Sequence, residues 1–128
     1  MKQVTVSAGI ILYKGKILIA QRRKDKSLGG FWEFPGGKLE PDETQEECLA
    51  REIREEFDID ICVKDFCFTT VHSYDTFTLT MHVYMATWDG RGDIRICDHE
   101  QYAWADKKDL GNYNFSPADW PIVDFLKR

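Results

Sequence analysis

The chain has 128 residues, of which 43% are hydrophobic and 30% are charged, so we expect one folded domain over residues 1–128. Its net charge of −5 at pH 7 excludes the broadly basic surface that binding to a nucleic acid polymer or a membrane requires. The sequence has no apolar run of membrane-spanning length, no signal-peptide pattern and no zinc-like spacing of its four cysteines, which predicts a cytoplasmic protein with reduced thiols.

The first third of the chain predicts a hairpin followed by loops. Residues 4–13 and 16–21 are apolar stretches of strand length, and Lys14-Gly15 between them is a turn. The polar segment 22–30 is a loop. The aromatic segment 31–37, FWEFPGG, ends in a Pro-Gly-Gly turn.

A helix with a clear start signal comes next. Thr44 is a good N-cap, and Glu47 three residues later completes the sequence pattern of a capping box. The pattern predicts a helix that continues to about Phe57.

Three further strands are predicted in the second half of the chain. Residues 63–72, 76–87 and 102–105 have strand patterns, and the glycine-rich segment 88–93 is a turn. Strands that alternate irregularly with few helices are typical of an α+β fold, here an α/β/α sandwich with a mixed sheet between helices.

The C-terminal segment, residues 116–128, predicts a final helix. Ser116 is its expected N-cap, Pro117 its first helical residue and Asp119 an acid of its first turn.

Three carboxylates share one face of the central helix. Glu52 and Glu56 lie one turn apart and Glu55 lies beside them. One interpretation is a solvated acidic face that neighbouring basic side chains neutralise. The other is a site for a hard divalent cation such as Mg²⁺, which prefers carboxylate and water ligands.

The residues around this helix resemble the Nudix box, Gly-x5-Glu-x7-Arg-Glu-U-x-Glu-Glu-x-Gly-U, where U is a bulky aliphatic residue. Between residues 37 and 59 eight of the nine specified positions match, namely Gly37, Glu43, Arg51, Glu52, Ile53, Glu55, Glu56 and Ile59. Six such letters in register arise by chance roughly once in 10⁷ start positions. The departure is Asp58, where the family has a glycine that ends the helix in the left-handed conformation; we expect a small stability cost and an intact metal face.

The resemblance to Nudix hydrolases extends beyond the box and is strongest for their MutT-type members. It includes the segments VSAGIILYKGKILIAQRR, WEFPGGKLEPDET and FSPADWPIVDFL. It implies the Nudix fold, in which a mixed sheet lies between helices and carries a loop-helix-loop catalytic motif. It also implies Mg²⁺-dependent hydrolysis, with Mn²⁺ as a substitute, of a nucleoside triphosphate to the monophosphate and pyrophosphate by a monomer or homodimer.

The same resemblance assigns the metal ligands and the catalytic groups. The implied metal ligands are Glu52, Glu55, Glu56 and the backbone carbonyl of Gly36. Glu52 is the preferred general base because a carboxylate beside the metal can accept a proton from water. A loop acid is the alternative, and Asp98 fits it better than its neighbour Glu100.

Supporting and phosphate-binding roles follow in the same way. Arg51 and Glu43 are expected to pair and, with Gly37, to organise the loop and helix. Arg23 matches a phosphate-contacting arginine of the MutT branch, although a solvated strand-end charge is the alternative. Arg22 has the opposite strand parity, so only one of the two arginines should face the site. Lys38 is a weaker phosphate candidate.

Glu33, Phe34 and Asp119 are the candidates for base recognition. The tail PADWP resembles that of bacterial CTP pyrophosphohydrolases, whereas 8-oxo-dGTP enzymes have asparagine at the position of Asp119. Asp119 accepts hydrogen bonds when ionised and donates one when protonated, so the resemblance leaves both oxidised and cytosine nucleotides open. The alternative for Asp119 is an acid in the first turn of the final helix, stabilised there by the helix dipole. For the whole protein, the alternatives are hydrolysis of another nucleoside diphosphate derivative, such as ADP-ribose or a dinucleoside polyphosphate, and a catalytically silent nucleotide-binding module.

Overall fold

A computed structural model describes all 128 residues, Met1–Arg128. The elements in chain order are β1 Lys2–Tyr13, β2 Lys16–Arg22, β3 Trp32–Glu33, β4 Gly36–Lys38, α1 Gln45–Phe57, β5 Cys62–Ser73, β6 Phe77–Thr87, β7 His99–Ala105, two 3-10 helices at Lys107–Asn112 and Pro117–Asp119, and α2 Trp120–Leu126. None of the helices has the length and apolar character needed to cross a membrane.

The seven strands form one mixed sheet with the order β3-β2-β1-β6-β5. β4 pairs with β1 and β7 pairs with β2 outside this path. β1 and β6 run parallel, and the other pairs are antiparallel. The predicted mixed sheet is therefore confirmed.

Each face of the sheet is covered by its own apolar core. On one face α1 buries Leu49, Ile53 and Phe57 against β1, β2 and β6. On the other face α2 buries Ile122 and Val123. Each such side chain contributes about 1.5–3 kcal/mol by leaving water. Helices on both faces confirm the predicted α/β/α sandwich.

The predicted start of α1 is confirmed. The Thr44 hydroxyl accepts a hydrogen bond from the Glu47 backbone N–H at 3.1 Å, and the Glu47 carboxylate accepts one from the Thr44 backbone N–H at 2.9 Å. Two backbone donors that the helix itself leaves unpaired are thus satisfied.

The end of α1 is the place where this chain departs from the Nudix box. Asp58 caps the helix in the left-handed conformation, with φ 58° and ψ 35°, and its N–H donates to the Arg54 carbonyl. The helix therefore ends as a glycine would end it, and Ile59 is still buried. This conformation strains the backbone, because in the left-handed region the Cβ of an L-residue lies too close to the following carbonyl oxygen.

Replacing Asp58 by glycine should therefore raise the free energy of unfolding by about 0.5–1 kcal/mol, because glycine adopts a positive φ without strain. This gain exceeds the cost of the larger conformational entropy that glycine has in the unfolded chain. Urea denaturation of both proteins measures the change. Asp60→Gly is the matched control: Asp60 is exposed and has no positive φ, so glycine there should destabilise. Destabilisation by both substitutions would contradict strain at Asp58.

The predicted final helix is wrong at its start. Residues 117–119 form a 3-10 turn, the α-helix begins at Trp120, and the Ser116 side chain makes no capping hydrogen bond. A continuous helix from Pro117 would need a backbone N–H at its fifth residue. That residue is Pro121, which has none. Restarting the helix at Trp120 places Pro121 in the first turn, where no N–H partner is required.

Two other boundaries differ because pairing partners lie far away in sequence. Gly36-Gly37, predicted as a turn, belong to β4 and pair with Ala8 and Ser7 of β1. β7 begins three residues before the predicted strand, at His99, which pairs with Arg22. Neither segment has the alternating apolar pattern that identifies a strand locally.

Candidate active site

A cavity of about 660 Å³ is lined by β1, β4 and β6, by α1, and by the turns that precede β6 and α2. One wall, the glutamate wall, consists of Glu52 and Glu56 of α1. The opposite group, the Asp119 wall, consists of Phe34, Tyr74 and Asp119. A cavity of this volume accommodates a ligand of nucleotide size.

The Glu52 carboxylate lies directly against the backbone of β4. A Cβ added at Gly37 would lie 2.2 Å from the Glu52 carboxylate, and one added at Gly36 would lie 1.9 Å from the Ser7 carbonyl oxygen. Position 36 therefore requires glycine because the clash is with backbone, whereas a side chain at position 37 would displace the Glu52 carboxylate. Burial raises the pKa of Glu52, partly offset by the hydrogen bond from Arg51.

Glu56 is the most perturbed carboxyl of the glutamate wall. Its Oε1 is buried and has no hydrogen-bond partner. Burial, followed by the negative charges of Glu33 and Glu52, raises the pKa of Glu56 to about 9. At neutral pH this group therefore carries a proton unless a cation compensates its charge.

Glu55 does not join the other two glutamates in the cavity wall. Its side chain is 58% exposed and accepts hydrogen bonds from Arg51 Nη1 at 3.2 Å. Consequently no three acidic, histidine or cysteine side chains converge as a complete ligand set.

The residues present nevertheless fit a hard divalent cation. The unpartnered Glu56 oxygen is an acceptor that a cation would satisfy, and Glu52 supplies a second carboxylate beside the backbone of Gly36. Mg²⁺ is commonly held by one or two carboxylates and retains waters for the rest of its shell.

Arg51 fastens the glutamates to the loop before α1. Its Nε and Nη2 donate to the two Glu43 oxygens at 2.6 and 3.1 Å, and its Nη1 donates to Glu52 at 3.0 Å. The hydrogen bonds from Arg51 lower the pKa of Glu43 to about 2. Nη2 also donates to the Lys38 carbonyl at 3.1 Å. The expected pairing of Arg51 with Glu43 is thus present.

Arg22, rather than Arg23, lines the main cavity. Arg23 turns outward and forms a two-point ion pair with Asp25. The sequence prediction assumed that side chains alternate regularly along this strand. A register shift between Gln21 and Arg22 interrupts that alternation.

Asp98 lies at a smaller cavity of about 60 Å³ that also borders Glu56 and Arg23. Its carboxylate pairs with Lys26 Nζ at 2.6 Å. This hydrogen bond lowers the pKa of Asp98. Glu100, the less favoured loop acid, borders neither cavity.

Asp119 lies in the 3-10 turn Pro117–Asp119 but is buried and bonded across the cavity wall, so it is more than a first-turn acid. The residue is only 4% exposed, and its Oδ2 accepts a hydrogen bond from the Phe34 backbone N–H at 2.8 Å. Burial, with the charge of Glu33 added, raises the pKa of Asp119 well above its usual range. The ring of Phe34 stacks on Phe115 at 5.0 Å.

Sequence reasoning missed two residues of this region. The hydroxyl of Tyr74, at the end of the β5–β6 hairpin, accepts a hydrogen bond from the Ala118 backbone N–H at 3.1 Å. His99 bonds Glu33 at 2.8 Å. No local signal identifies Tyr74, whereas the position of His99 next to a candidate loop acid was a usable hint.

Comparisons with known proteins find similarity over most of the chain. The family model described as NUDIX domain matches residues 7–125. The chain is 35% identical over 124 residues to the CTP pyrophosphohydrolase of Escherichia coli (strain K12), covering 97% of this chain and 91% of that protein. It is 40% identical over 87 residues to the 8-oxo-dGTP diphosphatase of Proteus vulgaris, covering 67% of this chain and 78% of that protein. The solution structure of the E. coli ORF135 protein superposes with a TM-score of 0.83 at 33% identity, covering 99% of this chain and 91% of that chain.

Proposed function

Because the chain belongs to the Nudix hydrolases, and within them to the MutT-type nucleoside triphosphate diphosphatases, we propose that it converts a cytosine or oxidised-guanine nucleoside triphosphate to the monophosphate and pyrophosphate. The family generally uses a divalent metal, and we assign Mg²⁺ here, with Mn²⁺ as a substitute. The supporting observation is one cavity that joins a wall of desolvated glutamates to a wall of aromatic and acidic groups.

The glutamate wall is the proposed metal and reaction end. Glu52 and Glu56, with the Gly36 carbonyl, would hold the metal, and Glu55 would join them on release from Arg51 Nη1. When bound, Mg²⁺ polarises phosphoryl oxygens and acidifies a water molecule. Glu52 accepts the proton of the attacking water, since it faces the cavity and Arg51 fixes its orientation.

The groups around Glu52 keep its carboxylate in place. Glu43 locks the Arg51 guanidinium from one side, and glycine at position 37 leaves the space that the carboxylate fills. Both are positioning residues in this proposal. Asp98 remains the second candidate for the general base, but its ion pair with Lys26 would have to open first.

Three basic side chains are proposed to bind the phosphates. Lys38 and Arg22 line the cavity that contains Glu52. Arg23 borders the adjoining smaller cavity and would reach a phosphate after leaving Asp25. Their charge offsets that of the triphosphate, which the glutamates would otherwise repel.

The Asp119 wall is the proposed base-recognition end. Asp119 Oδ2 already accepts the Phe34 N–H, so a protonated Asp119 offers a donor at Oδ1, which has no protein partner. Glu33, which receives hydrogen bonds from Arg22 and His99, offers an acceptor. Cytosine presents a complementary acceptor and N–H₂ donor side by side. In 8-oxoguanine the O6 acceptor and the N7–H donor also lie side by side. Unmodified guanine lacks the N7–H donor.

A substrate panel tests the proposal. Purified protein with Mg²⁺ is assayed for pyrophosphate release with canonical, oxidised and methylated ribo- and deoxyribonucleoside triphosphates, and with ADP-ribose and a dinucleoside polyphosphate. We expect pyrophosphate and monophosphate as products, and the highest kcat/KM with CTP, dCTP or 8-oxo-dGTP. Release of orthophosphate alone, a preference for ADP-ribose, or tight binding without turnover in calorimetry would overturn it.

A further inference from the structure

The Glu33 carboxylate is held from both sides. Its Oε1 accepts a hydrogen bond from Arg22 Nη1 at 3.1 Å, and its Oε2 bonds His99 Nε2 at 2.8 Å. We call Arg22 and His99 the Glu33 clamp. Glu33 lines the same cavity as the glutamate wall and the Asp119 wall, and its charge raises the pKa of both Glu56 and Asp119.

Sheet pairing produces this clamp. β2 lies between β3 and β7, with Ala20 opposite Glu33 and Arg22 opposite His99. The register shift at Arg22 alters the direction of its side chain relative to a regular strand. Three strands distant in sequence thus bring the three side chains together, and 66 positions separate Glu33 from His99.

His99 has the surroundings of a fixed donor. Its side chain is 3% exposed, and its ring stacks on Phe57 at 5.2 Å with an interplanar angle of 17°. Its Nδ1 is buried without a hydrogen-bond partner. An ionised carboxylate only accepts, so Nε2 carries the hydrogen in the bond to Glu33. The ring therefore donates a hydrogen bond to Glu33 through Nε2–H.

The two members of the clamp differ in rigidity. Arg22 is a long side chain, 27% exposed, whose Nε also donates to the Ser27 carbonyl at 2.8 Å, so Glu33 is not its only partner. His99 is short, enclosed and stacked. The enclosed His99 ring therefore holds the Glu33 carboxylate more rigidly than the longer, more exposed Arg22 does.

We propose that His99 is a positioning residue that sets the base selectivity of the enzyme by holding Glu33 oriented as an acceptor toward the cavity. This inference rests on the proposed function, in which Glu33 recognises the base. Without the His99 donor the carboxylate would turn toward Arg22, and the discrimination between bases with and without a matching N–H would decline.

A matched pair of variants tests the proposal. His99→Phe keeps the stack on Phe57 and removes the donor, whereas His99→Gln restores a donor near the position of Nε2. We expect His99→Phe to lower the ratio of kcat/KM between the best and the poorest nucleoside triphosphate about 10- to 100-fold, the usual effect of losing a hydrogen bond to a charged group. We expect His99→Gln to keep the ratio within about 3-fold of wild type. The loss in His99→Phe should appear mainly in KM for the preferred nucleotide.

The control is His82→Phe. His82 of β6 bonds Thr69 of β5 and does not border either cavity. Its selectivity ratio should remain that of the wild type. A merely structural role for His99 would lower kcat/KM equally for all nucleotides and leave the ratio unchanged. That result, or a ratio equally reduced in His99→Gln and His99→Phe, would overturn the inference.

A second measurement does not depend on hydrolysis. The ¹⁵N spectrum of the histidine rings should show a hydrogen on Nε2 of His99, and Glu33→Gln should shift its ring resonances. An Nδ1–H tautomer, or resonances unmoved in Glu33→Gln, would overturn the inference. If wild-type protein hydrolysed no nucleoside triphosphate, the proposed function would fail, and the spectrum would still decide whether His99 holds Glu33.

Discussion

Glu52→Gln is expected to lower kcat about 10²–10⁴-fold, the range associated with losing a general acid or base, while the protein remains folded. Glutamine has the shape of glutamate but neither binds a cation through charge nor accepts the proton of an attacking water. The Arg51 hydrogen bond to Oε1 at 3.0 Å and the space left by Gly37 both remain available to the amide. Steady-state pyrophosphate release and the melting temperature Tm, measured on the same sample, separate lost chemistry from lost fold.

Glu46→Gln is the control for this experiment, since Glu46 belongs to the first turn of the same helix and does not line the cavity. It should keep the wild-type kcat. A nearly wild-type rate in Glu52→Gln would remove Glu52 from the proton transfer. Asp98→Asn would then be the next variant, because Asp98 borders the same small cavity as Glu56 and is the alternative general base.

Millimolar Mg²⁺ is expected to raise Tm, and the increase should grow between pH 5 and pH 9. In the metal-free protein the raised pKa of Glu56, about 9 against 4.5 for the ordinary group, means that the folded state retains a proton which the unfolded chain releases. This contribution to stability is fully present below pH 4.5 and is lost as the pH rises through about 9. The loss amounts to at most about 1.4 kcal/mol per pH unit. A cation at Glu56 replaces the proton, so it restores stability at the alkaline end.

The size of the effect follows from binding linkage. At a Mg²⁺ concentration about 100-fold above Kd the stabilisation is about 2.7 kcal/mol, which corresponds to roughly 5–15 °C in Tm for a domain of this size. Glu56→Gln should remove most of this shift and flatten the pH dependence of the metal-free protein, because an amide neither titrates nor attracts Mg²⁺. Differential scanning calorimetry at several pH values, with Glu46→Gln as the unaffected control, measures both. A melt that Mg²⁺ leaves unmoved in the wild type would contradict a cation site at the glutamate wall.

The central helix and its chemistry were accessible from the sequence because their signals are local. Thr44 and Glu47 predict the helix start from two side chains three residues apart, and the structure has that capping box. The spacing of Glu52 and Glu56 predicts a common face for the same reason, since residues within one helical turn have a fixed geometry. The left-handed end at Asp58 was also anticipated, because backbone sterics act on a single residue.

Tertiary structure alone decided which side chains meet and how far they are desolvated. Asp119 bonds the backbone of Phe34 across 85 positions, and His99 bonds Glu33 across 66. A register shift in β2 brings Arg22 to the main cavity. Arg51 Nη1 bonds both Glu52 and Glu55 and holds Glu55 at the exposed side, outside the cavity wall.

The physical reason for this division is the range of each interaction. Capping, helical periodicity and allowed dihedral angles act over one turn of the chain, so the sequence by itself determined the family motif, the carboxylate-bearing helix and the sandwich. Burial and strand register depend on every element that packs nearby. The high pKa of Glu56, the enclosed Asp119 and the Glu33 clamp therefore became visible only when the sheet had brought its distant strands together.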